Sequence, residues 1–80
     1  MALRFLCIDP GTNSGNCPAV FMDYETGDLL FQGTTETNVS TLTEASTHSP
    51  MGERESIVRL PARMRTTILE ALRAAGEDVR

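Results

Sequence analysis

The sequence predicts an α+β fold: a small antiparallel sheet of about four strands, with one C-terminal helix packed on a face of the sheet. Short apolar runs separated by turn residues occupy the first 60 residues. The clearest turn, Glu-Thr-Gly-Asp at 25–28, joins two apolar runs and is typical of a β-hairpin. Residues 62–75 repeat apolar side chains at helical spacing. We therefore expect one domain, residues 1–80.

The first two strands flank a polar turn. The run Leu3–Ile8 is too short for a stable helix, and its apolar character favours a strand at the sheet centre or buried on both faces. Pro10 and Gly11 end this strand. A second turn signal follows at 15–16, and Ala19–Tyr24 predicts the second strand.

The third strand completes the hairpin. Gly27 supplies the left-handed position of the turn, and Leu29–Thr37 continues as strand, with its threonines favouring β structure. Gly33 lies inside this strand. A glycine there indicates a bulge or a close backbone approach.

The middle of the chain predicts a short helical turn and a fourth strand. Thr41 and Glu44 have the spacing of a capping box, which predicts a helical turn that begins at Thr41 and extends through Thr47. The density of serine and threonine around it also fits a loop. Residues 48–52 then predict a loop. Glu55–Leu60 is short and rich in β-branched residues, and predicts the fourth strand.

The C-terminal helix is predicted over residues 62–75, with Pro61 at its first position and Gly76 as its end. Residues 77–80 are expected to fray. Its apolar stripe consists of Met64, Ile68, Leu72 and Ala75, with Leu69 and Ala71 beside it. The opposite, solvent-facing side is predicted to carry Arg63, Arg65, Glu70 and Arg73.

Size and charge limit the classes of function. A chain of 80 residues has a marginal core, so we expect a partner subunit, and a homodimer first of all. The net charge of −4 does not favour direct nucleic-acid binding. The charge is uneven: residues 1–53 carry one arginine and seven acids, and residues 54–80 carry six arginines and four acids. No secretory signal or membrane span is predicted, so we expect a cytoplasmic protein with reduced cysteines.

Two features carry possible chemistry. The strand ending in Ile8-Asp9-Pro10-Gly11 resembles the opening of RNase H-like enzymes, above all the RuvC-type Holliday-junction resolvases. That resemblance implies that Asp9 binds a catalytic metal. Such chemistry needs several convergent carboxylates. The alternative is structural: the Asp9 side chain caps its own turn.

The cysteines have no metal-site spacing. Cys7 and Cys17 lie ten residues apart on different elements, and His48 lies in a polar stretch. We expect Cys7 to be a small buried hydrophobe. For Cys17, a redox or metal-binding role remains an alternative.

A second resemblance spans most of residues 3–75. A Gly-Asn-Cys-Pro turn at 15–18, the following hairpin, and Val58-Arg59-Leu60-Pro61 before a terminal helix are similar to the small actinobacterial proteins of the BldB developmental-regulator group. This resemblance implies a non-enzymatic accessory protein that self-associates and works with helix-turn-helix regulators. It implies no catalytic residue.

The sequence therefore predicts a non-enzymatic regulatory or protein-interaction module, a homodimer without cofactor or metal. Alternatives are a truncated RNase H-like metal-dependent enzyme using Asp9 and a Cys17 redox or metal module. The dimer surface is expected at a sheet edge or on the helix stripe. The helix residues predicted to contact partners are Arg63, Met64, Arg65, Ile68, Leu72 and Arg73.

Overall fold

The computed structural model describes residues 2–11 and 17–78, and it confirms the α+β class. The strands of this part of the chain form two antiparallel sheets instead of one. The first sheet, in spatial order, contains β1 (Leu3–Ile8), β2 (Ala19–Asp23) and β3 (Leu29–Gln32). The second contains β4 (Thr34–Thr35) and β5 (Val58–Arg59). The helices are α1 (Val39–His48) and α2 (Met64–Asp78).

The bounds of β1 are as predicted, but its expected place at the sheet centre is wrong. β1 lies at the edge of the three-stranded sheet and pairs with β2 alone in the described part of the chain. A bulge between Phe5 and Cys7 interrupts the register. Three of its six residues are exposed, so its apolar character reflects two differently covered faces and not full burial.

The hairpin between β2 and β3 confirms the turn prediction. Gly27 has a φ of 82°, and its N–H donates to the carbonyl oxygen of Asp23 at 2.8 Å. Only glycine takes that φ without steric cost. β2 ends at Asp23, one residue earlier than predicted.

The predicted third strand is split at Gly33. A Cβ at this position would lie 2.7 Å from the carbonyl oxygen of Arg59, which confirms the expected close backbone approach. The chain leaves the first sheet here, and Thr34 pairs with Arg59 in the second. β5 accordingly covers only two residues of the predicted strand Glu55–Leu60.

The first helix is longer than predicted, and its cap is a different residue. The Asn38 side chain accepts a hydrogen bond from the Thr41 N–H at 3.0 Å, so Asn38 is the N-cap and Thr41 lies inside the helix. His48 is the last residue of α1 and not part of a loop. No α1 residue is buried, so polar caps define this helix more than packing does.

Helix α2 begins and ends later than predicted. It begins at Met64, whose N–H donates to the carbonyl oxygen of Pro61 at 3.0 Å, so Pro61 precedes the helix. It continues through Gly76 to Asp78, so Gly76 as the helix end is wrong. An internal glycine costs a helix only about 1 kcal/mol relative to alanine. Residues 79–80 lie outside the described part.

The core lies between α2 and the first sheet. Val20 and Met64 are fully buried, and Cys7 completes the buried cluster. Ile68 and Ala71 of the predicted stripe pack against it, whereas Leu69 is exposed. Within the described residues, no helix has the length and apolar character to cross a membrane.

Candidate functional site

Asp9 lies directly after β1, and its side chain is completely enclosed. Its backbone N–H continues the β1–β2 pairing by donating to the carbonyl oxygen of Pro18 at 2.9 Å. The Gly11 N–H donates to Asp9 Oδ1 at 2.9 Å. The structural interpretation of this aspartate is thus confirmed: its carboxylate caps the turn that follows.

The carboxylate is also bound by Arg63, just before α2. Arg63 Nε donates to Oδ1 at 2.7 Å and Nη2 donates to Oδ2 at 2.6 Å. Two parallel charge-assisted hydrogen bonds make this a bidentate ion pair. The hydrogen bonds that Arg63 donates to Asp9 raise the pKa of Arg63, so the guanidinium stays charged. The expectation that Arg63 faces away from the sheet is therefore wrong.

Gly11 completes this site, because a side chain there would occupy space that Arg63 uses. A Cβ on Gly11 would overlap the guanidinium group of Arg63. The turn therefore needs glycine because its missing Cβ admits Arg63, whereas the N–H that binds Asp9 could come from any residue except proline. We name the three residues Asp9, Gly11 and Arg63 the carboxylate clamp.

The carboxylate clamp does not fit a divalent cation. Both Asp9 oxygens are bound to a guanidinium, and a second cation beside it would be repelled. The residues that the structure describes contain no group of three His, Cys, Asp or Glu side chains able to hold a metal ion. A carboxylate bound to a guanidinium through both oxygens is therefore a poor ligand for a second cation.

The two cysteines differ in environment. Cys7 is buried, as predicted, and its burial raises the pKa of its thiol. Cys17 is half-buried just before β2, and its carbonyl oxygen accepts a hydrogen bond from Gln32 Nε2 at 2.8 Å. Both are free thiols. The redox role considered for Cys17 stays a prediction.

A second ion pair joins the two differently charged parts of the chain. Arg59 Nε donates to Glu36 Oε1 at 2.6 Å, and Glu36 also accepts from the Asn38 N–H at 3.0 Å. Hydrogen bonds from Asn38 and then from Arg59 lower the pKa of Glu36. Like the Asp9–Arg63 pair, it connects an acid of residues 1–53 with an arginine of residues 54–80. The acidic and the arginine-rich parts of the sequence are thus joined by ion pairs within the fold.

The second notable surface is the side of the first sheet opposite α2. Cross-strand partners share a face, and residues alternate along each strand. The pairing of Phe5 with Phe21 and of Phe21 with Leu30 therefore places these three side chains together, away from Val20 and Cys7. The rings of Phe5 and Phe21 lie 6.0 Å apart. We call this surface the outer face; it consists of Leu3, Phe5, Ile8, Phe21 and Leu30.

The outer face is open to solvent. Leu3, Phe5, Ile8 and Leu30 are 44%, 57%, 44% and 42% exposed. Taking about 200 Å² for each full side chain, they present on the order of 400 Å² of apolar surface. This matches the largest patch on a typical monomer, about 300–600 Å², which often has a function.

The predicted contact residues of α2 occupy different surroundings. Met64 is fully buried and Ile68 packs on the core. Arg63 belongs to the carboxylate clamp, whereas Arg65 and Arg73 are exposed and Leu72 is half-buried. The set therefore does not form one continuous surface. The outer face could not be predicted from the strands alone, because strand positions do not show which residues of neighbouring strands share a face.

The chain was compared with known proteins. No protein-family model matches it, and neither the curated proteins nor the solved structures contain a significant match. The resemblances to the BldB group and to RuvC-type resolvases accordingly stay predictions.

Proposed function

We propose that this chain is a small non-enzymatic interaction module, a homodimer that self-associates through the outer face and the outer edge of β1. The observation that carries the proposal is the exposed apolar outer face beside a buried core of very few side chains. Burying apolar surface between subunits stabilises a small domain whose own core is marginal.

The size of the outer face argues for a contribution from the strand edge. A stable interface buries about 800 Å² on each partner, and the outer face offers about half of that. β1 pairs on one side only within the described residues and is six residues long, whereas β3, the other outer strand, has four. Antiparallel pairing of β1 with β1 of a second copy adds backbone hydrogen bonds and sets the two outer faces side by side, so that Leu3, Phe5 and Ile8 of the two copies cover one another along the seam.

The edge of β1 has little protection against such pairing. Natural edge strands avoid association by charged side chains, proline or very short length. The one charged residue of β1 is Arg4, and it has no proline. Its protective features are Arg4 and the bulge between Phe5 and Cys7.

The resemblance to the BldB group supports a regulatory use of this module, as an accessory partner of a helix-turn-helix regulator. We expect the module in the cytoplasm, where Cys7 and Cys17, neither of which forms a disulfide, stay reduced. Affinity capture from the native host, followed by identification of co-purifying regulators, tests this part separately from self-association.

Sedimentation equilibrium of three proteins tests the dimer. The wild type is expected to be a dimer at high micromolar concentration. Phe5→Glu places a charge on the outer face and is expected to weaken the dimer by about tenfold or more, because desolvating an unpaired charge is unfavourable. Leu69→Glu is the matched control: Leu69 is 56% exposed, close to the 57% of Phe5, but lies on α2.

Two results contradict the proposal. A wild type that is monomeric at high micromolar concentration removes self-association. A dimer that Leu69→Glu dissociates and Phe5→Glu leaves intact moves the interface to the helix.

The second candidate is an RNase H-like nucleic-acid enzyme. The favouring observation is the arrangement of three antiparallel strands with an enclosed carboxylate directly after β1 and a helix packed on β1. Arg63 weighs against it, because it holds both Asp9 oxygens.

Nuclease assays on branched and single-stranded DNA with Mg²⁺ or Mn²⁺ distinguish the two candidates. Cleavage that Asp9→Asn abolishes and Glu36→Gln retains establishes the enzyme. Glu36 is a suitable control because it too is an acid paired with an arginine. The interaction module predicts no cleavage by any of the three proteins.

A further inference from the structure

We infer that Arg63 is the permanent counter-ion of the Asp9 carboxylate. The carboxylate clamp then connects the end of β1 to the start of α2 and does not bind divalent cations. This inference concerns a different part of the molecule from the outer face. It assigns Asp9 and Arg63 a positioning role that neither resemblance implies.

The burial of the two partners is unequal. The Asp9 side chain is fully enclosed, whereas that of Arg63 is 53% exposed. An enclosed carboxylate without a counter-ion is very unfavourable, but an arginine released into solvent is not. Loss of Arg63 should therefore harm the fold more than loss of the Asp9 charge.

The connection spans a long stretch of chain. The partners are 54 residues apart in sequence, and α2 packs directly on β1. Each guanidinium hydrogen bond fixes the beginning of α2 relative to the end of that strand. The buried side chain of Met64 follows Arg63 directly, so the clamp also sets where α2 enters the core.

The carboxylate clamp should prevent divalent cations from binding at Asp9. A lone carboxylate binds Mn²⁺ weakly, and here the metal would have to displace a bidentate guanidinium and approach a positive charge. Wild-type protein is thus expected to bind no Mn²⁺ at Asp9 at millimolar concentration.

Thermal unfolding of a double-mutant set tests the inference. Arg63→Gln is expected to lower the Tm by about 5–10 °C, and Asp9→Asn by clearly less, because Asn keeps an acceptor for the Gly11 N–H. The double variant should resemble Asp9→Asn, since no charge is left buried. Arg63→Lys keeps the charge but not the fork, and should recover part of the loss.

A matched pair serves as control. Arg59 and Glu36 also form an ion pair, but Arg59 binds through Nε alone, and the Glu36 side chain is 9% exposed whereas that of Asp9 is fully enclosed. Arg59→Gln is expected to change the Tm by only a few degrees. Bound Mn²⁺ is followed in parallel by electron paramagnetic resonance of wild type and Asp9→Asn.

The outcomes separate the alternatives. Equal losses for Arg63→Gln and Asp9→Asn that add in the double variant overturn the clamp. If Arg63→Gln does not fold, a folded double variant still supports the inference, and an unfolded one contradicts it. Mn²⁺ binding by wild type that Asp9→Asn abolishes overturns the closure to cations. None of these results depends on whether the protein dimerises.

Discussion

The two faces of the three-stranded sheet have similar side chains but different surroundings. The inner face carries Val20, Cys7 and Met22, all buried, with α2 packed against it. The outer face carries Phe5 and Leu30, which are about half exposed. Both faces are apolar, so hydrophobicity alone did not decide which one is the core.

The difference shows how a short chain divides its apolar residues. Helix α2 packs on β1 and covers only part of the inner face. Leu29 and Phe31 of β3 pair with the inner-face residues of β2 and so share that face, but they are 47% and 41% exposed. The bulge in β1 adds to the inner face, because Leu6 and Cys7 both pack in the core cluster despite being neighbours. The outer face is left largely uncovered, and it is the surface that we propose contacts a second copy.

The largest effect is expected on the inner face. Met64→Ala removes a fully buried side chain and should lower the free energy of unfolding by about 2–5 kcal/mol. Urea denaturation measures this. Phe5→Ala, examined at concentrations where the chain is monomeric, should lose less, and an equal or greater loss would show that the outer face is the better packed one.

The reaction rates of the two thiols compare Cys7 on the inner face with Cys17, which lies just before β2. Cys7 is buried with a raised pKa, whereas Cys17 is half-buried. Since the thiolate is the reactive form, both the burial of Cys7 and its raised pKa slow its reaction. A thiol reagent should modify native wild type in two phases, and Cys17→Ser should remove the fast one. Loss of the slow phase instead would place Cys7 in solvent.

The smallest effect lies away from both faces, at Glu36. The pKa of Glu36 is lowered in the folded state, so its stabilising contribution is complete above its ordinary value of 4.5. That contribution is lost as the pH falls through the lower folded pKa. Glu36→Gln should flatten the acid side of the stability curve by a small amount. A variant with the wild-type acid dependence would mean that the hydrogen bonds that Glu36 accepts from Asn38 and Arg59 do not stabilise the fold.

Local sequence signals predicted part of this structure. Leu3–Ile8 was identified because an apolar run ends at Pro-Gly, and Gly27 because a hairpin needs a left-handed residue. Both are decided by neighbouring residues. The stripe of α2 was likewise visible as a period, and Ile68 packs where that period places it.

Contacts between distant residues could not be predicted in this way. The pairing of Arg63 with Asp9 depends on how α2 lies on β1, which no spacing encodes. Asn38 was missed as a cap because Thr41 and Glu44 matched a capping box more obviously, although Asn is an equally good cap. The carboxylate clamp can therefore be identified only from the three-dimensional structure.

The most direct test of the outer-face interface is an isotope-filtered nuclear Overhauser experiment on a mixture of labelled and unlabelled wild type. If the outer face forms the dimer interface, we expect contacts between subunits from the Phe5 ring and from the Leu3 and Ile8 methyl groups. Contacts between subunits from Leu69 of α2 without any from Phe5, or none at millimolar concentration, would contradict it.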